Sequence, residues 1–333
     1  MKLQFSFIIP VYNRPEEVEE LLASMVHLKE GGDFEVVLVE DGSTRPCKDV
    51  TDRYSNQLNI AYYFKANSGP GDSRNYGMGK AKGNYFIILD SDCILPSTYL
   101  ESVKKGLSKK YTDCFGGPDT AHESFSAIQK AINYSMTSWL TTGGIRGKSG
   151  SVNKFQPRSF NMGLSKKAFL TTGGFGKIHP GEDPDLTLRL WKAGFETKLI
   201  PNAFVYHKRR ISWEKFYIQV NKFGMTRPIL NQWHPESRKI TYWFPSLFIF
   251  GFLIALLFWC AGFNWFLGVY GLFALLIFID ALRSTKSLYI AVMSVYASAI
   301  QFLGYGLGFA KSTILITFSK KKPEVLFPNL FFK

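Results

Sequence analysis

Two carboxylates separated by one residue follow four apolar residues in the stretch Tyr85-Phe-Ile-Ile-Leu-Asp90-Ser-Asp92. The apolar residues Phe86–Leu89 predict a buried β-strand. Because residues i and i+2 of an extended chain point to the same side, Asp90 and Asp92 can converge on one hard cation. Mg²⁺ and Mn²⁺ prefer carboxylate ligands, and phosphate oxygens often complete their coordination. The spacing indicates a metal–diphosphate site; the alternative is two solvated acids at a strand end.

Predicted strands and helices alternate along the first part of the chain. The predicted strands before Asp90 are Leu3–Ile9, Phe34–Val39 and Ile60–Phe64, followed by the strand that ends at Leu89. Asn13, with Glu16 three residues later, is expected to cap the first helix. This alternation predicts an α/β domain, a mostly parallel sheet with helices on both faces.

Polar residues stand where these strands end. Asn13 follows the first strand, Asp41 the second, and Asp90 and Asp92 a later one. Because the carboxyl ends of parallel strands share one edge of a sheet, we expect these residues to form one crevice. Arg74 adds a cation suited to phosphate, unless it forms a surface ion pair.

Six motifs in order make residues 3–210 similar to the family 2 inverting glycosyltransferases, whose GT-A fold has a Rossmann-like sheet. The motifs are Phe7-Ile-Ile-Pro-Val-Tyr-Asn13, Val39-Glu-Asp41-Gly-Ser43, Arg74-Asn75 with Leu89-Asp90-Ser-Asp92, Phe160-Asn161-Met-Gly163 before Gly173-Gly174-Phe175, Gly181-Glu182-Asp183-Pro-Asp185, and Val205-Tyr206-His207. One departure is Glu40, where many relatives have Asp. The resemblance implies transfer of a sugar from a nucleotide sugar.

The resemblance also assigns donor-side roles. The positions matching the nucleotide-binding motifs are Pro10, Tyr12, Asn13, Glu40, Asp41, Arg74, Asp90 and Ser91. Asp41 is expected to contact a uracil ring, which favours a UDP-sugar donor. Asp92 is expected to bind Mg²⁺ or Mn²⁺. His207 is a second candidate for the metal, or alternatively a buried structural histidine.

Asp183 is the candidate general base, with Glu182 beside it. The neighbouring carboxylates raise the proton affinity of Asp183, whereas a helix N-terminus favours its ionised form. The sequence leaves open which effect dominates. The alternative for this pair is an acidic helix start without catalytic function. Positions matching the acceptor-side motifs are Asn161, Gly163, Asp185 and Arg189.

Composition restricts the partners. The net charge is +14, which suits phosphorylated ligands or anionic lipid. Nucleic acid is not expected, because no nucleic-acid-binding motif accompanies the charge.

The four cysteines form no CxxC pair and are expected to be reduced. The chain starts directly with a strand pattern, so no cleavable signal peptide is expected.

Residues 240–279 form a run of 40 residues without a charge or a histidine. One helix of that length would be about 60 Å long, twice the hydrocarbon thickness of a bilayer. A turn at Ala261–Trp265 therefore predicts two membrane spans, about 243–260 and 265–282. A third uncharged stretch, about 287–310, is either a third span or an interfacial or re-entrant helix. The glycines at 304, 306 and 308 are expected to loosen its end.

The predicted organisation is a GT-A domain over 1–210, basic amphipathic interfacial helices over 211–242, a membrane region over 243–318 and a basic cytoplasmic tail over 319–333. Residues 208–242 carry eight Lys or Arg against two acids, which favours a membrane surface. Lysines and arginines near the spans place the catalytic domain in the cytoplasm of a multi-pass inner-membrane protein. This location favours a lipid-linked acceptor, with a saccharide as the other choice.

The resulting hypothesis is a membrane-anchored, metal-assisted inverting glycosyltransferase of cell-surface glycan or glycolipid synthesis. A processive polysaccharide synthase is disfavoured because the chain has too few apolar runs for a channel and no Gln-x-x-Arg-Trp motif. A nucleotidyltransferase would need a Gly-rich basic loop after the first strand, which Pro10–Asn13 is not. A nucleotide-binding scaffold without catalysis is the non-enzymatic alternative.

Overall fold

The structure, a computed structural model, describes residues 2–29, 34–120, 122, 125–143, 155–208 and 212–332. The first residue of the predicted 211–242 segment and the last of the predicted 319–333 tail lie outside the described residues. The chain divides into two compact units. The first comprises 1–122, 147–208 and 331–333, and the second comprises 123–146 and 209–330. The later division, between 208 and 209, lies close to the predicted boundary at 210, and the described residues 125–143 also belong to the second unit.

A seven-stranded sheet forms the centre of the first unit. Its strands are β1 Phe5–Val11, β2 Phe34–Asp41, β3 Ile60–Lys65, β4 Tyr85–Leu89, β6 Cys114–Gly116, β8 Asn161–Ser165 and β9 Thr197–Leu199. The spatial order is β3-β2-β1-β4-β8-β6-β9. The first four strands of that order are parallel, with Ile8 opposite both Val37 and Ile88. β8 runs antiparallel to both its neighbours. The predicted mostly parallel sheet is confirmed.

Helices cover both faces of this sheet. They are α1 Pro15–Val26, α2 Lys48–Tyr54, α3 Pro70–Lys80, α4 Tyr99–Lys109, α7 Lys166–Thr172 and α8 Glu182–Lys192. Alternate strand residues serve the two sides: Phe7 packs in the cluster with α1 and α4, and Ile8 in the cluster with α3, α7 and α8. Because all the residues of β4 are buried, this strand reads as apolar throughout. Asn13 does not cap α1: the helix begins after Arg14 without a side-chain cap.

A second, three-stranded sheet lies in the same unit. Its strands are β5 Cys93–Ile94, β7 Asp119–Thr120 and β10 Val205–His207, in the order β5-β10-β7. β10 pairs antiparallel with β5, which places His207 opposite Cys93. This pairing brings residues more than a hundred positions apart to the end of β4.

The second unit is helical. Its helices are α5 Ala127–Thr137, α6 Trp139–Thr142, α9 Trp213–Trp233, α10 Phe244–Cys260, α11 Trp265–Thr285, α12 Leu288–Phe318 and α13 Pro323–Leu326, with 3₁₀ turns at Pro235–Ser237, Ile240–Trp243 and Pro328–Leu330. Tyr134 and Ser138 donate hydrogen bonds of 2.6 and 3.0 Å to Asp280 of α11. These bonds account for the grouping of α5 and α6 with the apolar helices.

In the part of the chain that the structure describes, three helices are long and apolar enough to cross a membrane: Ile240–Cys260, Trp265–Thr285 and Leu288–Phe318. The predicted break between the first two is confirmed, since α10 ends at Cys260 and α11 begins at Trp265. The third is a continuous helix of 31 residues, so the expected loosening at its glycines is wrong. Gly308 instead lets α9 approach: a Cβ there would clash with the Asn221 carbonyl oxygen.

α9 corrects the predicted amphipathic character of the basic segment. Every residue from Gly224 to Leu230 is buried, including Arg227 and Pro228. The ring of Tyr242 lies 4.2 Å from the Arg227 guanidinium carbon. An amphipathic helix would alternate between buried and exposed faces over two turns. This half of α9 is therefore enclosed within the second unit.

Gly163 tests how tightly the central sheet is packed. A Cβ at this buried position in β8 would clash with the ring of Phe115. We expect Gly163→Ala to destabilise the first unit by about 1–3 kcal/mol through overpacking. Gly79→Ala is the matched control, because a Cβ there meets nothing within 4 Å among the described residues. Thermal unfolding of the detergent-purified chain should show a lower midpoint for Gly163→Ala only; equal midpoints would contradict this packing.

Candidate active site

The end of β4 carries a cluster of possible metal ligands. Asp92, Cys93 and His207 each place one ligand atom within 4.8 Å of the others. His207 Nε2 lies 3.2 Å from Asp92 Oδ1. The small sheet positions this imidazole, because β10 pairs with β5 immediately after Asp92. The predicted proximity of Asp92 and His207 is thus present in the structure.

The donor set fits a divalent cation of the Mg²⁺ or Mn²⁺ type. Asp92 supplies a carboxylate and His207 an imidazole, and Asp119 Oδ2 lies 3.8 Å from the other ring nitrogen. The ring of Phe160 stacks on His207 with centroids 4.7 Å apart. Burial raises the pKa of the Cys93 thiol well above its usual value, so the thiolate form is disfavoured. Asp92 and His207 would therefore hold the metal.

Arg14 was not among the predicted site residues. Its Nη1 lies 2.6 Å from Asp92 Oδ2, and 33% of its side-chain surface is exposed to solvent. Burial would lower the pKa of Arg14, but Asp92 outweighs it and the pKa is raised. The available signal was its position after Asn13, at the end of a strand facing the predicted crevice. Arg14 adds a permanent positive charge beside the metal cluster.

Arg74 joins two parts of the site that are far apart in sequence. Its Nη2 lies 2.7 Å from Asp90 Oδ1 and its Nη1 lies 3.1 Å from Glu182 Oε1. The guanidinium is 3% exposed, and the Phe175 ring lies 5.2 Å from its central carbon. Arg74 therefore positions two carboxylates rather than forming the surface ion pair considered from the sequence. Lys65, not Arg74, pairs with Asp72.

Glu182 and Asp183 start helix α8 in contrasting environments. Glu182 is buried, and its carboxylate accepts a hydrogen bond from Arg74. Its Oε1 also lies 2.9 Å from His179 Nδ1. Burial opposes ionisation of Glu182, but His179 and Arg74 outweigh it and lower its pKa. Asp183 is half-buried, and within the described chain its enclosed Oδ1 has no hydrogen-bond partner.

The pKa of Asp183 is raised to about 6, first by burial and then by the charge of Glu182. These two effects outweigh the opposing charges of Arg74 and Arg158. Because the folded chain holds this proton more tightly than the unfolded chain, the protonated form of Asp183 stabilises the fold. This stabilisation is fully present below the pKa that Asp183 has in the unfolded chain, and it is lost as the pH rises through about 6. A half-buried carboxylate with this pKa suits proton transfer near neutral pH.

Asp41 orders the loop that precedes α3. Its carboxylate accepts from Lys65 Nζ at 2.7 Å and from the backbone amides of Ser68 and Gly69, both at 2.9 Å. Asp41 is 3% exposed. The structure thus shows a positioning role for Asp41, and its contact with a base stays a prediction.

Glu40 and Asn13 order the neighbouring turn after β2. Glu40 is fully buried and accepts from Cys47 N at 2.8 Å and from the hydroxyls of Ser43 and Tyr62. Asn13 Oδ1 accepts from the amides of Thr44 and Arg45, at 2.8 and 2.9 Å. These bonds occupy the oxygen that was expected to cap α1.

The other predicted nucleotide positions lie along the same strand ends. Tyr12 is 52% exposed, Pro10 is half-buried at the end of β1, and Ser91 is buried between Asp90 and Asp92. The exposed ring of Tyr12 is available for stacking on a ligand. Nucleotide contacts by these three residues stay predictions.

The four predicted acceptor residues lie in packed or hydrogen-bonded positions of the first unit. Asn161 is fully buried, accepts from Tyr99 at 2.6 Å and donates to the Ala203 carbonyl at 2.8 Å. Gly163 lies inside the sheet. Asp185 pairs with Arg189 at 2.8 Å, and Arg189 also donates to the Thr172 and Gly174 carbonyls. These contacts show positioning roles, and contact of the four residues with an acceptor stays a prediction.

A cavity of about 270 Å³ lies beside the loop that Asp41 orders. Its lining includes Gly71, Asn75, Lys177, His179 and Phe332. The Phe332 ring lies against Gly69, and Phe332 N donates to the Lys177 carbonyl at 3.1 Å. Sequence patterns gave no sign that a residue this far along the chain contacts the first unit.

Comparison with known proteins gives a family match. Residues 6–170 match the model described as glycosyl transferase family 2. The chain is 32% identical over 114 residues to the poly(ribitol-phosphate) beta-N-acetylglucosaminyltransferase TarS of Staphylococcus aureus, covering 33% of this chain and 20% of TarS. It is 25% identical over 235 residues to chondroitin synthase of Escherichia coli, covering 61% and 34%.

An uncharacterized glycosyltransferase of Rickettsia felis is 38% identical over 87 residues, 26% of this chain and 14% of that protein. This chain therefore spans about a third or less of the length of these three relatives.

Among solved structures, the mannosyltransferase PcManGT of Pyrobaculum calidifontis, in complex with GDP-Man and Mn²⁺, has a TM-score of 0.54 at 12% identity. The match covers 99% of this chain and 79% of that one, and it shows a shared fold.

The Asp92–His207 pair predicts divalent-ion binding. We expect the purified protein to bind Mn²⁺ and His207→Ala to weaken binding at least about 10-fold, because a ligand is lost. Mn²⁺ titration followed by electron paramagnetic resonance measures this directly. His122→Ala is the matched control, since His122 packs on Tyr206 in the same region. Unchanged Mn²⁺ affinity in His207→Ala would remove the imidazole from the proposed ligand set.

Proposed function

Since the chain belongs to glycosyl transferase family 2 and has the GT-A fold predicted from its sequence, we propose that this glycosyltransferase transfers a sugar from a UDP-sugar to a lipid-linked or saccharide acceptor. The observation that carries the proposal is the ion-pair chain through Arg74. It links Asp90, beside the metal cluster, to Glu182, beside the candidate base. Donor-binding and proton-accepting groups are thereby held in one rigid set.

The donor would bind at the edge formed by β1, β2 and β4. The loop ordered by Asp41 and the exposed ring of Tyr12 offer backbone amides and an aromatic surface for a base and ribose. Arg14 supplies a positive charge for the diphosphate. UDP is favoured by the resemblance at Asp41.

Asp92 and His207 would hold a Mg²⁺ or Mn²⁺ ion. A bound cation supplies Lewis-acid stabilisation of the charge that develops on the leaving diphosphate. Arg14 forms an ion pair with the Asp92 carboxylate, and its positive charge adds to the stabilisation of the leaving diphosphate. The Mn²⁺ complex of the mannosyltransferase from Pyrobaculum calidifontis supports the choice of ion.

Asp183 would act as the general base. The acceptor hydroxyl oxygen attacks the anomeric carbon while its proton passes to the Asp183 carboxylate. The bond between that carbon and the diphosphate oxygen breaks, and UDP leaves with the bonding electrons. Attack from the opposite side inverts the anomeric configuration. Glu182, held by Arg74 and His179, keeps the pKa of Asp183 high enough to accept the proton.

Membrane anchoring completes the proposal. α10 is apolar over its 17 residues, α11 is apolar from Trp265 to Ile279, and the two helices present Leu257, Trp259 and Leu272 on their exposed surface. The excess of Lys and Arg flanking the apolar region favours a cytoplasmic catalytic unit. A surface-glycan or glycolipid precursor is the product class that fits an active site attached to a bilayer.

The donor is tested by titrating UDP, GDP, dTDP and CMP into the detergent-purified protein with Mn²⁺. We expect UDP to bind most tightly and Asp92→Ala to lose the Mn²⁺-dependent part of that affinity. Asp52→Ala, an exposed acid on α2, is the control. Preferred binding of GDP would replace the proposed donor. Failure of every nucleotide to bind would contradict the proposed donor site, whereas nucleotide binding without sugar transfer would favour a scaffold without catalysis.

The base is tested by the pH dependence of kcat/KM. Because only ionised Asp183 accepts a proton, we expect the rate to fall about 10-fold per pH unit below about 6 and to level off above it. Asp183→Asn should lower kcat by about 10²–10⁴-fold while the chain still binds UDP. A flat profile between pH 5 and 7 would exclude Asp183 as the base.

Glu182→Gln separates the role of the neighbouring charge from that of burial. This change removes the negative charge that raises the pKa of Asp183 and leaves the size of the side chain nearly unchanged. We expect the inflection of the pH profile to move to lower pH, with some loss of rate because Arg74 loses a partner. An inflection that stays in place would mean that another group controls the profile.

A further inference from the structure

The chain returns to the first unit after its apolar helices. α10, α11 and α12 belong to the second unit, whereas Phe331 and Phe332 belong to the first. Phe331 forms an antiparallel bridge with Ile178, and Phe332 N donates to the Lys177 carbonyl at 3.1 Å. The water-exposed catalytic unit therefore contains the chain both before and after the apolar region.

This return restricts the number of membrane crossings. A chain that leaves a unit on one side of a bilayer and rejoins it must cross an even number of times. Among the described residues, three helices nevertheless have the length and hydropathy of membrane spans. At least one of the three therefore does not cross the bilayer.

Burial distinguishes α12 from the other two helices. In the most apolar 18-residue stretches of Ile240–Cys260 and Trp265–Thr285, 6% and 11% of the residues are buried. In the corresponding stretch of Leu288–Phe318, 39% of the residues are buried. α10 and α11 are joined by four residues, and Phe258 packs on Phe266 at this turn with centroids 4.6 Å apart. These two helices form a hairpin with mostly lipid-accessible surfaces.

α12 contacts mainly the half of this hairpin that is remote from its turn, and it reaches no further than Phe273, near the middle of α11, among the ring contacts of the described residues. Ala291 packs with Ala281, near the end of α11. Phe302 lies 4.9 Å from Phe248, and Phe309 lies 5.0 Å from Trp243, at the start of α10. A helix of 31 residues is about 46 Å long, so a third span would extend alongside the hairpin toward its turn. These contacts instead place α12 across the base of the hairpin.

The remaining neighbours of α12 are helices with polar and charged residues. Gln301 donates to the Thr141 carbonyl of α6 at 3.2 Å, and Ser312 donates to the Met225 carbonyl of α9 at 2.7 Å. Asn221 of α9 donates to the Gly304 carbonyl at 3.0 Å. α9 carries Glu214, Lys215 and Lys222, which are costly inside hydrocarbon. The packing partners of α12 thus fit an interfacial depth.

We propose that only α10 and α11 cross the membrane and that α12 lies in the plane of the interface. Its exposed Leu303, Leu307, Ile314 and Phe318 would contact the acyl boundary. The exposed Lys320, Lys321 and Lys322 follow directly and suit anionic headgroups. The inference rests on the membrane anchoring proposed above and is independent of the sugar and the nucleotide.

Single-cysteine labelling tests this topology in the full chain. Cys260, the one exposed cysteine, is replaced by serine, since Cys47, Cys93 and Cys114 are buried. Reporter cysteines are then introduced by Lys109→Cys in the catalytic unit, Phe263→Cys at the hairpin turn and Lys321→Cys after α12. A membrane-impermeant maleimide is applied to sealed vesicles of both orientations.

We expect Lys321→Cys to be labelled from the same side as Lys109→Cys and from the side opposite to Phe263→Cys. Labelling of Lys321→Cys together with Phe263→Cys would overturn the proposal, because α12 would then cross. Labelling of all three from one side would also overturn it, because the hairpin would not span. Carbonate extraction of the same membranes tests anchoring separately, and UDP binding by each variant confirms that the catalytic unit is folded.

Discussion

The buried guanidinium of Arg74 is the interaction on which the catalytic unit depends most. It holds Asp90 and Glu182, which belong to the end of β4 and the start of α8. A buried ion pair gives little net stability compared with apolar packing, but removing one partner costs about 3–5 kcal/mol because a charge is left uncompensated. The sheet edge and α8 are therefore fixed relative to each other, which sets the environment of Asp183.

The central sheet could be predicted because its strands are buried on both faces and read as short apolar runs. Phe7-Ile-Ile and Phe86–Leu89 gave the strand positions to within a few residues. The grouping of Asp90, Asp92 and His207 followed from motif resemblance and strand-end geometry. The ion pairs of Arg14 with Asp92 and of Arg74 with Glu182 could not be predicted. They depend on which loops meet in the folded chain, and the order of residues alone does not give that information.

Other differences also have physical reasons. The acidic start of α8 gave opposing influences on the pKa of Asp183, and the burial of its carboxyl group, which raises that pKa most, could not be seen in the sequence. The glycines of α12 suggested a weakened helix, whereas they allow close approach of α9. Residues 125–143 lack a long apolar run, so nothing in their composition linked them to Asp280 of α11.

The bridge between Ile178 and Phe331 has a consequence for biosynthesis. A ribosome reaches residue 331 only after the hairpin and α12 have been made, a delay on the order of ten seconds after residue 208. During that interval the Gly69 loop and residues 177–179 lack the ring of Phe332. The nascent catalytic unit can collapse early around its sheet, but its last contacts form only after the apolar helices have been synthesised. Completion of this unit thereby depends on synthesis of the whole helical unit.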